Sequence, residues 1–184
     1  MSTHSRFLAA AALALGSNAT VAEGPNLGRV ATSAELALWD ISIGTGGAGL
    51  PPGNGTAKQG EAVYAAKCLF CHGEKAAGKP NDALVGGRGT LTGDQVPMKT
   101  VGSFWPHATT LFDYVRRAMP FDHPGTLSAD DVYAVTAYVL FLNGIVGEQD
   151  VIDAQSLPKI QMPNRKGFVP DPRPDIPVNK KPGG

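Results

Sequence analysis

Three segments of the chain carry helical periodicity, and the rest carries little. The sharpest runs from 128 to 144. Ser128-Ala129-Asp130-Asp131 supplies an N-cap and an acidic first turn. Val132, Val135, Val139 and Leu142 form one apolar face, with Ala134, Tyr138 and Phe141 as an adjacent stripe. Asn143-Gly144 is a C-terminal stop. A second helix is predicted from Pro106 to Ala118, where Leu111, Tyr114, Val115 and Ala118 share one helical face. Arg116 and Arg117 suit the negative end of its dipole, and Pro120 ends it. A third starts at Thr56. Thr56-Ala57-Lys58-Gln59 fits a capping box, and the helix should run through Gly60 and Tyr64 to Cys68. No hairpin signal or alternating run appears, so the fold class is mostly α.

The flanks read differently. Residues 1–22 resemble a secretory signal: a weak basic start at Arg6, an apolar run from Phe7 to Leu15, and small residues at Thr20-Val21-Ala22. That run is too short to span a bilayer, and no later segment reaches spanning length. A periplasmic protein without a membrane span is expected. Residues 23–55 read as an extended N-terminal arm. A short helix is allowed from Ser33 to about Ile43, through Leu36, Leu38 and Trp39, before a Gly-rich run. The domain proper is 56–144. Residues 145–184 read as an extended Pro-rich C-terminal arm, whose Leu157, Ile160, Met162, Phe168 and Val169 are expected to anchor on a partner.

Composition agrees with that division. The 184 residues include 23 Gly and 15 Pro, an excess that points to extended segments outside the domain. Formal net charge is zero, which argues against a nucleic-acid partner. The mixed charge also predicts no strong salt-dependent steering.

The chemistry sits at Cys68-Leu69-Phe70-Cys71-His72. Cys-X-X-Cys-His is the attachment signature of c-type haem. Two thiols must reach two vinyl groups of one flat macrocycle, and the adjacent His must meet the iron from one face. A redox Cys-X-X-Cys would need a strand-to-helix turn in an α/β fold, which is not patterned here. A structural zinc needs four ligands, whereas the chain has two Cys and four scattered His residues. The sixth iron ligand is expected to be Met119, held by Pro120 between two helices. Met98, Met162, His107 and His123 are the alternatives. His72/Met119 ligation fills both axial positions and leaves electron transfer as the role. Trp105 reads as a ring packed over the macrocycle. Arg88, Arg116 and Arg117 are candidates for the haem carboxylates or for a partner.

From Gly55 to Gly144 the chain resembles a class I cytochrome c. Gly60 and Tyr64 match that family's first-helix contact pattern, and Ala134 and Tyr138 that of the last helix. The resemblance implies that a carbonyl shortly after the motif orients the haem His. Here that stretch is Gly78-Lys79-Pro80-Asn81-Asp82-Ala83-Leu84, with Pro80 displaced from the family's usual Gly-Pro, so the acceptor stays open. Three further segments, 33–43, 100–114 and 161–165, resemble the SoxD-type cytochrome subunit of the periplasmic sulfur-oxidising dehydrogenase. That resemblance implies one covalent haem c, a molybdenum-containing catalytic partner acting on sulfane sulfur or sulfite, and a downstream acceptor such as a soluble cytochrome. The competing reading is a freestanding cytochrome c shuttle. A sulfur-oxidising haem catalyst with a Cys ligand is disfavoured, because both Cys residues are committed to attachment. The chain is read as a non-catalytic subunit.

Overall fold

The computed structural model of the chain describes residues 27–171. The candidate signal at 1–22 and the prolines from Pro172 onward lie outside the described residues. The chain forms two compact units, one ending at Trp39 and one beginning at Asp40.

The first unit contains one helix, α1 (Ser33–Trp39). Its start is closed reciprocally. Thr32 Oγ1 accepts from the Glu35 amide at 3.3 Å, and Glu35 Oε2 accepts from the Thr32 amide at 2.8 Å. Arg29 pairs with the Glu35 carboxylate. None of the helix is buried: Leu36, Leu38 and Trp39 are 55%, 78% and 86% exposed.

The second unit runs β1 (Asn54–Gly55), α2 (Ala57–Lys67), α3 (Leu69–His72), α4 (Ala108–Ala118), α5 (Ala129–Leu142) and β2 (Ile152–Asp153). The capping box at Thr56 and Gln59 forms as its spacing predicts. Ser128 caps α5 by accepting from the Asp131 amide at 3.1 Å. At the other end, Asn143 Nδ2 donates to the Val139 and Leu84 carbonyls.

The core forms where α2 crosses α5. A side chain at Gly60 would overlap the Ala134 carbonyl, so only glycine lets the two backbones meet. Tyr64 and Tyr138 flank the crossing with ring centroids 5.3 Å apart.

Two predicted faces are redistributed. Helix α5 is buried nearly all round: besides Val132, Val135 and Val139, it hides Tyr133, Thr136, Ala137 and Leu140. In α4 the buried residues are Ala108, Thr109, Leu111 and Phe112, so Leu111 of the predicted face stays in the core while Tyr114 is half-exposed; Phe112 packs on Tyr133 with ring centroids 4.4 Å apart.

The far side of α5 is covered by the flanks, and here the predicted domain limits of 56 and 144 differ from the structure. β1 pairs antiparallel with β2, Asn54 opposite Asp153 and Gly55 opposite Ile152, and both lie against α5. Ile152, Leu157 and Met162 are buried in the same cluster as Phe112, Tyr133 and Leu140, and Ile160 packs against it. Leu157, Met162 and Ile160, three of the five proposed partner anchors, are therefore core residues or neighbours of the core. Phe168 and Val169 stay exposed. The reason is physical: a helix apolar on all sides needs cover on all sides. Before the domain, Ile43 and Leu50 pack on the same cluster, and the Ile43 amide donates to Asp113 at 3.1 Å.

Candidate haem-binding cleft

The motif folds as one tight turn. Cys71 and His72 amides both donate to the Cys68 carbonyl, at 3.1 and 2.9 Å, which coils Cys68, Cys71 and His72 around a single helical turn. Gly73 ends it with φ 71°, where a side chain would overlap the Gly78 carbonyl. Tyr64 ties the turn to α2 by donating its hydroxyl to the Gly73 carbonyl at 2.7 Å. Burial, and then the nearby Cys68 sulfur, push that phenol up to about 12.

The following loop is laced back onto the motif. Gly78 donates to the His72 carbonyl at 2.8 Å, Asn81 to Cys71 at 2.9 Å, and Leu84 to Ala76 at 2.9 Å. This places the Asp82 carbonyl 2.9 Å from His72 Nδ1. A carbonyl only accepts, so Nδ1 carries the proton and Nε2 is left as a free lone pair. The open question of the His72 acceptor is answered by a backbone oxygen. Its identity was not readable from side-chain types, since any residue of the loop supplies a carbonyl.

Cys68, Cys71, His72 and Met119 line one cleft of about 980 Å³. Its walls include Leu84, Val101, Leu111, Val115, Val135 and Val139. Leu111, Tyr114 and Val115 of α4 also line this space, with Leu111 at the same time part of the core cluster and Val115 packed against it. Trp105 lines it too and meets Tyr114 edge to face at 5.8 Å. Among the other ligand candidates, His123 reaches the cleft but is exposed and beside Asp122 at 3.1 Å. Met98 and His107 are not among the lining residues, and Met162 is in the core. Arg88, Arg116 and Arg117 do not line it either. They bind the Asn143 carbonyl, the Ile41 carbonyl and Asp113.

Burial first, and then Cys71, push the Cys68 thiol up to about 11. A redox or nucleophilic cysteine needs the opposite shift, so Cys68 does not read as an activated thiolate. Two thiols on one turn, an imidazole with a free nitrogen, a thioether and apolar walls suit a flat, iron-bearing macrocycle. No group of three or more metal-binding side chains occurs elsewhere among the described residues. No helix among them is long and apolar enough to cross a membrane.

Comparison with known proteins agrees. Residues 55–139 match the family model described as cytochrome c oxidase, cbb3-type, subunit III. No curated protein matches the chain. Among solved structures, the chain is similar to the sulfane dehydrogenase SoxCD from Paracoccus pantotrophus, at 41% identity and a TM-score of 0.77, over 88% of this chain and 81% of that one. A cytochrome c domain implies haem c as the cofactor. The protein belongs to the class I c-type cytochromes, close to the SoxD type.

Proposed function

We propose that the chain is a monohaem electron-transfer subunit, taking electrons from a molybdenum-containing sulfur dehydrogenase chain and passing them to a periplasmic acceptor. One haem c would be held through Cys68 and Cys71, with His72 and Met119 as the axial ligands. The observation that carries this reading is the convergence of these four residues on one cleft, with His72 already oriented by Asp82. The similarity to SoxCD supports the choice of partner.

When bound, haem c supplies an iron that alternates between ferrous and ferric states and so carries one electron at a time. The chain sets the conditions. His72 donates a hydrogen bond from Nδ1–H to the Asp82 carbonyl, which fixes the tautomer and the ring orientation and leaves Nε2 as the ligating nitrogen. The Met119 thioether favours the reduced state. The buried Val101, Leu111, Val135 and Val139 keep water from the cleft walls. With His72 and Met119 both holding the iron, no position would be left for a substrate. Helix α1 offers the catalytic chain an exposed apolar face that a freestanding shuttle does not need.

The test is co-purification and reduction. The native protein should co-elute with a molybdenum-containing chain, and adding a sulfane or sulfite substrate should reduce its haem bands. Met119→Ala should keep the covalent haem but lose the weak near-infrared sulfur-to-iron band. Elution alone, with no reduction by the complex, would favour the shuttle.

A further inference from the structure

The zero net charge hides a local imbalance in how cations are used. Arg29, Lys58 and Arg117 each pair with a carboxylate. Arg88 and Arg116 donate to backbone carbonyls. Lys67, Lys75, Lys79 and Lys159 enter none of the ion pairs among the described residues, and neither do three further cations, Lys99, Arg165 and Lys166.

The fold gathers these three at one place. Asn164 Nδ2 donates to the Phe104 carbonyl at 2.7 Å, which pins the Arg165-Lys166 turn against the loop before α4. Phe168 packs edge to face on Phe104, with centroids 5.2 Å apart. The Lys99 ammonium lies over the Phe104 ring, 5.1 Å from its centroid. Burial, and then Arg165, hold the nearby His107 imidazole below its usual range. Lys99 and its neighbour Thr100 also line the cleft, as does Trp105 beside Phe104. The cationic, aromatic patch therefore stands at the cleft rim.

We propose that Lys99, Arg165 and Lys166, set around the Phe104–Phe168 pair, form the docking surface for an acidic electron-acceptor protein. This rests on the electron-transfer reading above. The chemistry recognised is an acidic surface, because three unpaired cations attract carboxylates and the aromatic pair gives a small desolvated centre. A transient acceptor is favoured over the catalytic chain. Charge at a rim raises the rate of encounter more than it lengthens residence, which suits a partner that must leave after each electron.

Hexacyanocobaltate(III), a redox-inert trianion, can probe the rim of the holoprotein by amide NMR shifts. Shifts should cluster at 98–105 and 164–168. Ferricyanide gives a second readout: the reduced protein passes it one electron, the iron going from ferrous to ferric and ferricyanide to ferrocyanide. At low ionic strength the variant Lys99→Glu with Lys166→Glu should slow this step about tenfold, flatten its salt dependence and lose the anion shifts. Its haem spectrum should be unchanged, which checks folding, and Lys58→Gln should behave as wild type. Shifts confined to the Lys67, Lys75 and Lys79 side, or equal rates for the double variant, would overturn the proposal. Failure of the haem reading would look different: no covalent haem, with the anion titration still reporting the rim.

Discussion

The C-terminal flank of the haem domain and the outer part of its N-terminal flank, up to Trp39, look alike in sequence and behave in opposite ways. Both are poor in helical pattern and rich in Gly or Pro, and both carry spaced apolar residues. On the C-terminal side, Ile152, Leu157 and Met162 are 3%, 0% and 3% exposed, inside the domain core. On the N-terminal side, Leu36, Leu38 and Trp39 are mostly in solvent, on a helix that buries nothing. Composition alone does not tell a strap from a tether. What tells them apart is demand: α5 needs cover on its far side, and the segment that immediately follows it is the one in reach.

The largest test of this contrast is deletion. Removing everything after Gly144 takes away three buried side chains, each worth about 1.5–3 kcal/mol. Their sum is comparable with the whole margin of a small domain, about 5–15 kcal/mol. The truncated protein should lose its cooperative thermal transition, or show it at a much lower temperature. A protein lacking residues up to Trp39 should melt as the full chain does. Equal melting of the two truncations would return the C-terminal segment to the status of a free arm.

A smaller test uses single residues. Leu157→Ala empties a fully buried site and should cost about 2–5 kcal/mol in denaturant unfolding. Trp39→Ala should change stability by less than about 0.5 kcal/mol, because its ring is exposed. If α1 meets the catalytic chain, the same Trp39→Ala should weaken the complex, so one variant separates folding from association. Asn164→Ala, which frees the end of the strap from the Phe104 carbonyl, should cost about 1 kcal/mol.

The legible parts of this protein were those with local causes. The Thr56 and Ser128 caps, the Asn143 stop and the tight motif turn follow from neighbours within a few residues. The Gly60–Ala134 crossing was readable through the family pattern, because one missing Cβ decides it. What escaped depends on residues far apart. The periodic stripe of α4 was visible, but nothing local says that Leu111 and Val115 serve the core and the cleft wall together, or that Phe112, off that stripe, is fully buried. The Asp82 acceptor is a backbone group and has no sequence signature. The strap did leave a trace: Val132-Tyr133-Ala134-Val135 and Val139-Leu140-Phe141-Leu142 leave α5 with no polar face, which already asks for a layer on each side.

The smallest expected effect concerns α1 itself. A seven-residue helix is marginal alone, since nucleation is costly and few hydrogen bonds repay it. Here the start is held by Glu35, which accepts from Thr32 and pairs with Arg29. Arg29 first, and then the Thr32 donors, hold its carboxyl down at about 2, against an ordinary value near 4.5. A depressed carboxyl favours the folded form above its unfolded value, and that support is lost as pH falls through the folded value. The α1 amide shifts should therefore stay helical from neutral pH down to about 4, then move toward coil between about 4 and 2. Glu35→Gln should reproduce part of that loss at neutral pH, because the amide keeps an acceptor for Thr32 but not the charge for Arg29. Salt should weaken the wild-type cap, since the pair is fully exposed. In all three cases the melting of the haem domain should stay where it was. A shift of the domain's midpoint together with the α1 shifts would mean that the two units fold as one, and the contrast between strap and tether would fail at its N-terminal end.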